Sequence, residues 1–108
     1  MKYQLYITKN AERDLEDAAD YIEFTLKNPA AADRLLNIAE EELQELTLFP
    51  KSHPVIDDPV LSVWGVRFIV IENYLAFYIV EDSIVYIIRF LYGKRNWITV
   101  LKQGFTLK

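Results

Sequence analysis

Apolar and polar positions divide this chain into a helical first half and a strand-rich second half. KYQLYI, residues 2–7, alternates well enough to predict a short first strand. After Thr8 the period changes. Ala11, Leu15, Ala18, Ala19, Ile22 and Leu26 recur at steps of three and four, with Glu12, Asp14, Glu16, Asp17 and Asp20 largely on the other side. That spacing predicts an amphipathic helix with Thr8 or Asn10 as its N-cap. In KNPAAAD, Asn28 is placed to cap a second helix, and Pro29 falls at the first helical position, where a missing N–H costs nothing. A second apolar stripe of Ala32, Leu35, Leu36, Ala39, Leu43 and Leu46 follows and runs on until Pro50. Two helices joined by so short a break predict an antiparallel hairpin.

PKSHPVIDDPVLSV, residues 50–63, contains three prolines and predicts a loop leading from the helices to the sheet. Beyond it VWGVRFIVI, YLAFYIV and IVYIIRFLY are crowded with Val, Ile, Phe and Tyr, with polar breaks at Glu72-Asn73 and Glu81-Asp82-Ser83. These predict a three-stranded antiparallel meander. With two-residue turns, Arg67 stands opposite Tyr78, and Ala76 stands opposite Arg89. One face then carries Arg67, Ile69, Ile71, Tyr74, Ala76, Tyr78, Ile87, Arg89 and Leu91. The other carries Val66, Phe68, Val70, Leu75, Phe77, Ile79, Ile84, Tyr86, Ile88 and Phe90, is almost wholly apolar, and is expected to pack on the helices. The fold class is α+β, in a single domain over residues 1–108.

Composition narrows the class. A chain of 108 residues with 52% hydrophobic and 26% charged content has the make-up of one folded domain and not of a disordered segment. No apolar run approaches the roughly 18–20 uncharged residues of a membrane span. MKYQLYITKN lacks the features of a signal peptide, so no membrane role and a cytoplasmic location are expected. Without cysteine and with one histidine, neither disulfides nor a metal or other cofactor is expected.

The net charge of −4 speaks against a broad nucleic-acid footprint, but it is unevenly spread. Eleven acids stand against four bases from Lys9 to Glu45, and three acids against six bases from Trp64 to Lys108. The cations Arg67, Arg89, Lys94 and Arg95 therefore draw the eye. Gly93 lets the chain turn sharply off the last strand, leaving Lys94, Arg95, Asn96 and Trp97 together at the sheet's end. That group forms a candidate anion-binding or acidic-partner-binding rim with Arg67 and Arg89. The bland alternative has both strand arginines bridging to helix or loop carboxylates. Trp97 can stack a base or anchor the C-terminal segment, and anchoring suits its apolar neighbours better. His53, between Ser52 and Pro54, reads as a surface loop residue in preference to a general base.

A strand, a helical hairpin ending in LTLFP, and then GVRFIVIENYLAFYIVEDSIVYIIRFLYGKRNW together resemble the RelE/ParE superfamily, the toxins of bacterial type II toxin–antitoxin modules. The resemblance runs over about residues 3–101. It implies a small toxin neutralised by a cognate antitoxin. It leaves two modes of action: ParE-like inhibition of DNA gyrase, or RelE-like cleavage of ribosome-bound mRNA. Cleavage needs groups to move protons and cations around the phosphorane. By position Arg67 and Arg95 match basic residues of the RelE pattern, and Arg89 and Tyr92 are further catalytic candidates. Leu75 stands where the pattern has an arginine, and Leu101 falls near its C-terminal tyrosine. These departures favour a gyrase inhibitor acting through protein contacts over an mRNA endoribonuclease. They also admit a non-toxic binding module.

Overall fold

A computed structural model of the chain describes residues 2–103. Strand β1 is Gln4–Ile7, and Thr8 ends it by opening helix α1, Lys9–Asp20. The Thr8 hydroxyl accepts the Ala11 N–H at 3.3 Å, satisfying one donor that the first turn leaves without a helical partner. Ala11, Ala18 and Ala19 form the buried face. The regular helix stops short of the bend. Tyr21–Thr25 forms a π-helical turn with no buried residue, and Leu26, expected on the inner stripe, is exposed. Asn28 caps α2, Pro29–Glu45, by accepting the Ala31 N–H at 3.1 Å, with Pro29 in the first turn. Ala32, Leu35, Ala39, Leu43 and Leu46 are buried as their spacing predicts, whereas Leu36 points outward.

The proline-rich segment holds more structure than a loop. It contains a 3-10 turn at Pro50–Ser52 and a short helix α3, Pro59–Val63. The Asp58 carboxylate caps α3, accepting the Val60 and Leu61 N–H groups at 3.0 and 3.1 Å. A fourth helix, α4, spans Trp97–Gln103, and its Lys102 ammonium reaches the same carboxylate at 3.2 Å. The Leu61 N–H, followed by smaller contributions from Lys102 and Val60, holds Asp58 below the usual carboxylate range against an opposing effect of burial.

Strands β2 (Arg67–Ile71), β3 (Tyr74–Glu81) and β4 (Ile84–Tyr92) make the expected meander through two-residue turns. β1 joins alongside β4 in parallel, so the order is β1-β4-β3-β2 and the sheet is mixed. Arg67 lies opposite Tyr78 as the turn length predicts. The second pairing departs from expectation. A bulge between Tyr78↔Ile87 and Phe77↔Arg89 leaves Ile88 as an extra residue, so Ala76 faces Phe90 instead of Arg89.

The facing of the sheet is the reverse of that expected. Helices α1 and α2 bury Ile69, Ile71, Ala76, Tyr78, Val85, Ile87 and Phe90, with Tyr74 packed beside them. Phe77, Ile79 and Ile88 lie on the opposite face with Phe68, Leu75 and Tyr86, in a second cluster under α3 and α4 that includes Ile56, Leu61, Val66, Leu91 and Leu101. The physical reason is that both faces are covered. Neither face of the strands carries the polar residues that would have marked solvent.

Candidate functional site

Arg89 is the first candidate to find a partner. β1 covers β4 only as far as Ile87, and beyond that point α1 lies along the strand edge. Asp14 of α1 takes the place of the missing strand. Its Oδ2 accepts the Arg89 Nε–H at 2.6 Å and the Phe90 backbone N–H at 3.0 Å, and its Oδ1 accepts from Arg89 Nη2 at 2.8 Å. This is a bidentate, charge-assisted pair with Arg89 and Asp14 only 20% and 12% exposed. Arg89 therefore ties the hairpin to the sheet and does not stand open to an external anion. Asp14 had gone unmarked as a partner, although it sits three residues after Ala11 and four before Ala18, within the inner stripe.

Arg67 is likewise committed, to backbone. Its Nη1 donates to the Lys51 carbonyl at 3.3 Å and makes a short bond to the His53 carbonyl. Across the strand pair the Tyr78 hydroxyl donates to the Pro50 carbonyl at 2.6 Å. Two neighbouring side chains thus hold three carbonyls of one loop. Burial pushes the Tyr78 phenol up to about 12, with the Arg67 charge pulling weakly the other way. The imidazole of His53 lines a separate trough beside β2, away from the other candidates.

Lys94, Arg95 and Asn96 form the exposed turn between β4 and α4. The Gly93 N–H donates to the Asn73 carbonyl at 2.9 Å, which places this turn beside the β2–β3 hairpin. Arg67 is six residues along the strand from Asn73, or roughly 20 Å at the usual rise. The structure therefore keeps Lys94, Arg95 and Asn96 together, but it does not join Arg67 and Arg89 to them in one rim. Trp97 is half-buried against Phe77 with ring centroids 5.2 Å apart, in the anchoring role. Among the described residues, neither Lys94 nor Arg95 has an ion-pair partner.

Tyr92 stands at the mouth of a groove of about 650 Å³ at this same end of the molecule. Tyr21, Ile22 and Leu26 from the hairpin bend, Arg34 from α2, and Glu72, Asn73 and Tyr74 from the sheet form its walls. Tyr74 stacks on Phe90 at 5.1 Å and meets Tyr92 edge-on at 5.8 Å. Burial, then the neighbouring Tyr92 and Tyr21 phenols, push the Tyr74 phenol up. Arg34 reaches Glu72 at 3.6 Å across the opening, an exposed pair of small energetic weight. Leu75 is half-buried and Leu101 fully buried in the α4-covered cluster. No three His, Cys, Asp or Glu side chains among the described residues are placed to hold a metal ion. No helix among them is long and apolar enough to cross a membrane.

The arrangement offers an aromatic groove with a cationic turn beside it, a surface for recognition. Comparison with known families decides where the chain belongs: the model for the ParE toxin of the type II toxin–antitoxin system, parDE, matches residues 5–97. This chain is a member of the ParE toxin family. A solved chain described as the chromosomal ParDE TA system from P. aeruginosa is similar in fold to this ParE family member, with a TM-score of 0.72 at 21% identity. The superposition covers 86% of this chain and 98% of that one. No curated protein matches at comparable stringency.

Proposed function

We propose that this ParE family member is the growth-inhibiting toxin of a type II module, neutralised by a cognate antitoxin and acting on DNA gyrase through protein contacts. The observation that carries the reading is the commitment of the strand cations. Arg89 is neutralised by Asp14, and the Arg67 guanidinium donates to the Lys51 and His53 carbonyls. A phosphorane needs donors preorganised around it, and these two point elsewhere. Leu75 and Leu101, standing where the ribonuclease pattern has an arginine and a tyrosine, belong to the apolar cluster under α4. What stays available is the Lys94–Arg95–Asn96 turn and the aromatic groove beside it. These suit an acidic protein surface, whether a carboxylate-bearing face of gyrase or an antitoxin segment with Asp or Glu.

Purified protein is expected to inhibit gyrase supercoiling. Ribosomes programmed with mRNA are expected to show no A-site cleavage. Arg95→Ala should weaken the gyrase effect while leaving the fold unchanged by circular dichroism. Codon-specific mRNA cleavage that is lost in Tyr92→Phe, with gyrase unaffected, would establish the ribonuclease instead.

A further inference from the structure

Strand β2 is the last in the sheet, and its outer edge has no strand beside it over its second half. The two-residue turn after Ile71 makes Ile71↔Tyr74 a hydrogen-bonded pair, so alternate residues Arg67, Ile69 and Ile71 direct their backbone groups to β3. Phe68 and Val70 turn theirs outward. The start of this edge is covered: Val55 bridges Arg67, and the Val66 carbonyl, also outward-facing, accepts the Ile56 N–H at 2.8 Å. Nothing comparable covers Val70. Its backbone takes part in no cross-loop hydrogen bond among the described residues, and its side chain is 63% exposed.

Free strand edges are normally blunted by a lysine, a proline or a covering loop. Here the edge is flanked by apolar surface instead. A trough of about 410 Å³ runs between β2 and the end of α2, with Leu48, Phe49 and Val70 on its rim. Leu48 and Phe49 are 53% and 75% exposed, an unusual state for two adjacent large apolar residues.

The charge around the trough indicates what belongs there. Glu42 and Glu45 line it, in the final turn of α2, which has no basic residue. Carboxylates at the negative end of a helix are unfavourable, and neither is relieved by an ion pair among the described residues. His53 is the only lining side chain able to take a positive charge. A cationic ligand would relieve this frustration. A second copy of the chain paired edge to edge would bring its own acidic helix end and increase it. A nucleic acid would be repelled.

We propose that the free half of the β2 edge, with the trough beside it, docks an extended polypeptide segment of a protein partner as a fifth strand, the segment carrying apolar residues at alternate positions and Lys or Arg between them. Backbone bonds to Val70 supply affinity, as in other cases of strand addition. Apolar side chains of the added strand cover Leu48 and Phe49, and its cations meet Glu42 and Glu45. This site lies on a different edge of the sheet from the Lys94–Arg95 turn. It stands or falls independently of the gyrase reading.

The test uses two capped octapeptides, one alternating valine with lysine and the other valine with glutamate, added to the full chain. The lysine peptide should bind with one-to-one stoichiometry, slow hydrogen exchange at the Val70 amide, and bind at least about tenfold more tightly than the glutamate peptide. Val70→Pro removes an outward N–H without breaking a ladder bond, the one place where an edge strand tolerates proline. It should weaken binding by about tenfold, the loss of one backbone bond. Should that variant fold poorly, Val70→Lys at the same exposed position places a cation against the incoming lysines and should weaken binding similarly. Glu42→Gln with Glu45→Gln should abolish the preference between the peptides. Equal binding of both peptides, no binding of either, or Val70→Pro and Val70→Lys variants that bind like the parent would overturn the proposal. So would a concentration-dependent dimer in sedimentation that Val70→Pro dissolves, since that would make a second copy the occupant.

Discussion

Tyr78 shows how much one side chain does here. Its ring is fully buried and its hydroxyl holds the Pro50 carbonyl, so the neutral phenol is the form the fold requires. Burial raises its pKa to about 12, whereas in the unfolded chain a tyrosine ionises near its ordinary value of 10. The folded state therefore holds this proton where the unfolded state releases it. The stability it supplies is complete below about pH 10 and is lost as pH rises from there toward about 12, a loss on the order of 2–3 kcal/mol for a shift of two units. Urea titrations across that range should show the decline, and Tyr78→Phe should flatten it. An unchanged slope in the variant would assign the alkaline loss to other groups. At this scale the sequence was partly legible. Thr8, Asn28 and Pro29 announced their capping roles because caps depend on local chemistry alone. Tyr78 and Asp14 did not, because their partners lie 28 and 75 residues away in the chain.

Among the elements, α1 has two roles, as a wall of the core and as cover for the edge of β4. Thr8 begins this cover, with its N–H on the Ile87 carbonyl at 3.0 Å and its hydroxyl on the same oxygen at 2.9 Å. Asp14 continues it two turns later at Arg89 and Phe90. Asp14→Ala would strand a half-buried guanidinium and a strand N–H together. The expected loss is about 3 kcal/mol, read as a lower urea midpoint with an unchanged m-value. A midpoint equal to the parent's would mean that water replaces the carboxylate at no cost. The meander and its turns were readable from polar breaks, and the Arg67–Tyr78 pairing followed from turn length. The facing was not. A sheet sandwiched between α1–α2 and α3–α4 shows apolar residues on both sides, so alternation gives no direction. Ile88 added a second obstacle, since a bulge moves every later residue of the strand without any mark in composition.

In the whole molecule, the candidate rim was legible only where it is contiguous in the chain. Lys94, Arg95 and Asn96 are neighbours in sequence and stay neighbours in space, whereas Arg67 and Arg89 are drawn into the scaffold by partners that no local pattern reveals. The acidic helices and the cationic turn remain apart, which gives the molecule distinct surfaces for partners of opposite charge.

The parallel seam between β1 and β4 sets a timetable for synthesis. Gln4 meets Ile84, and the Thr8 hydroxyl bonds a carbonyl 79 residues away, so the first strand has no partner until most of the chain exists. At roughly 5–20 residues per second that wait lasts several seconds, during which the helical hairpin can form but the sheet cannot close. Chains arrested at increasing lengths should register folding force only once β4 has left the ribosome, and an earlier signal would show the hairpin to be stable by itself. A polypeptide emerging in this order is inert through most of its own translation, and an antitoxin already present has that interval in which to meet it.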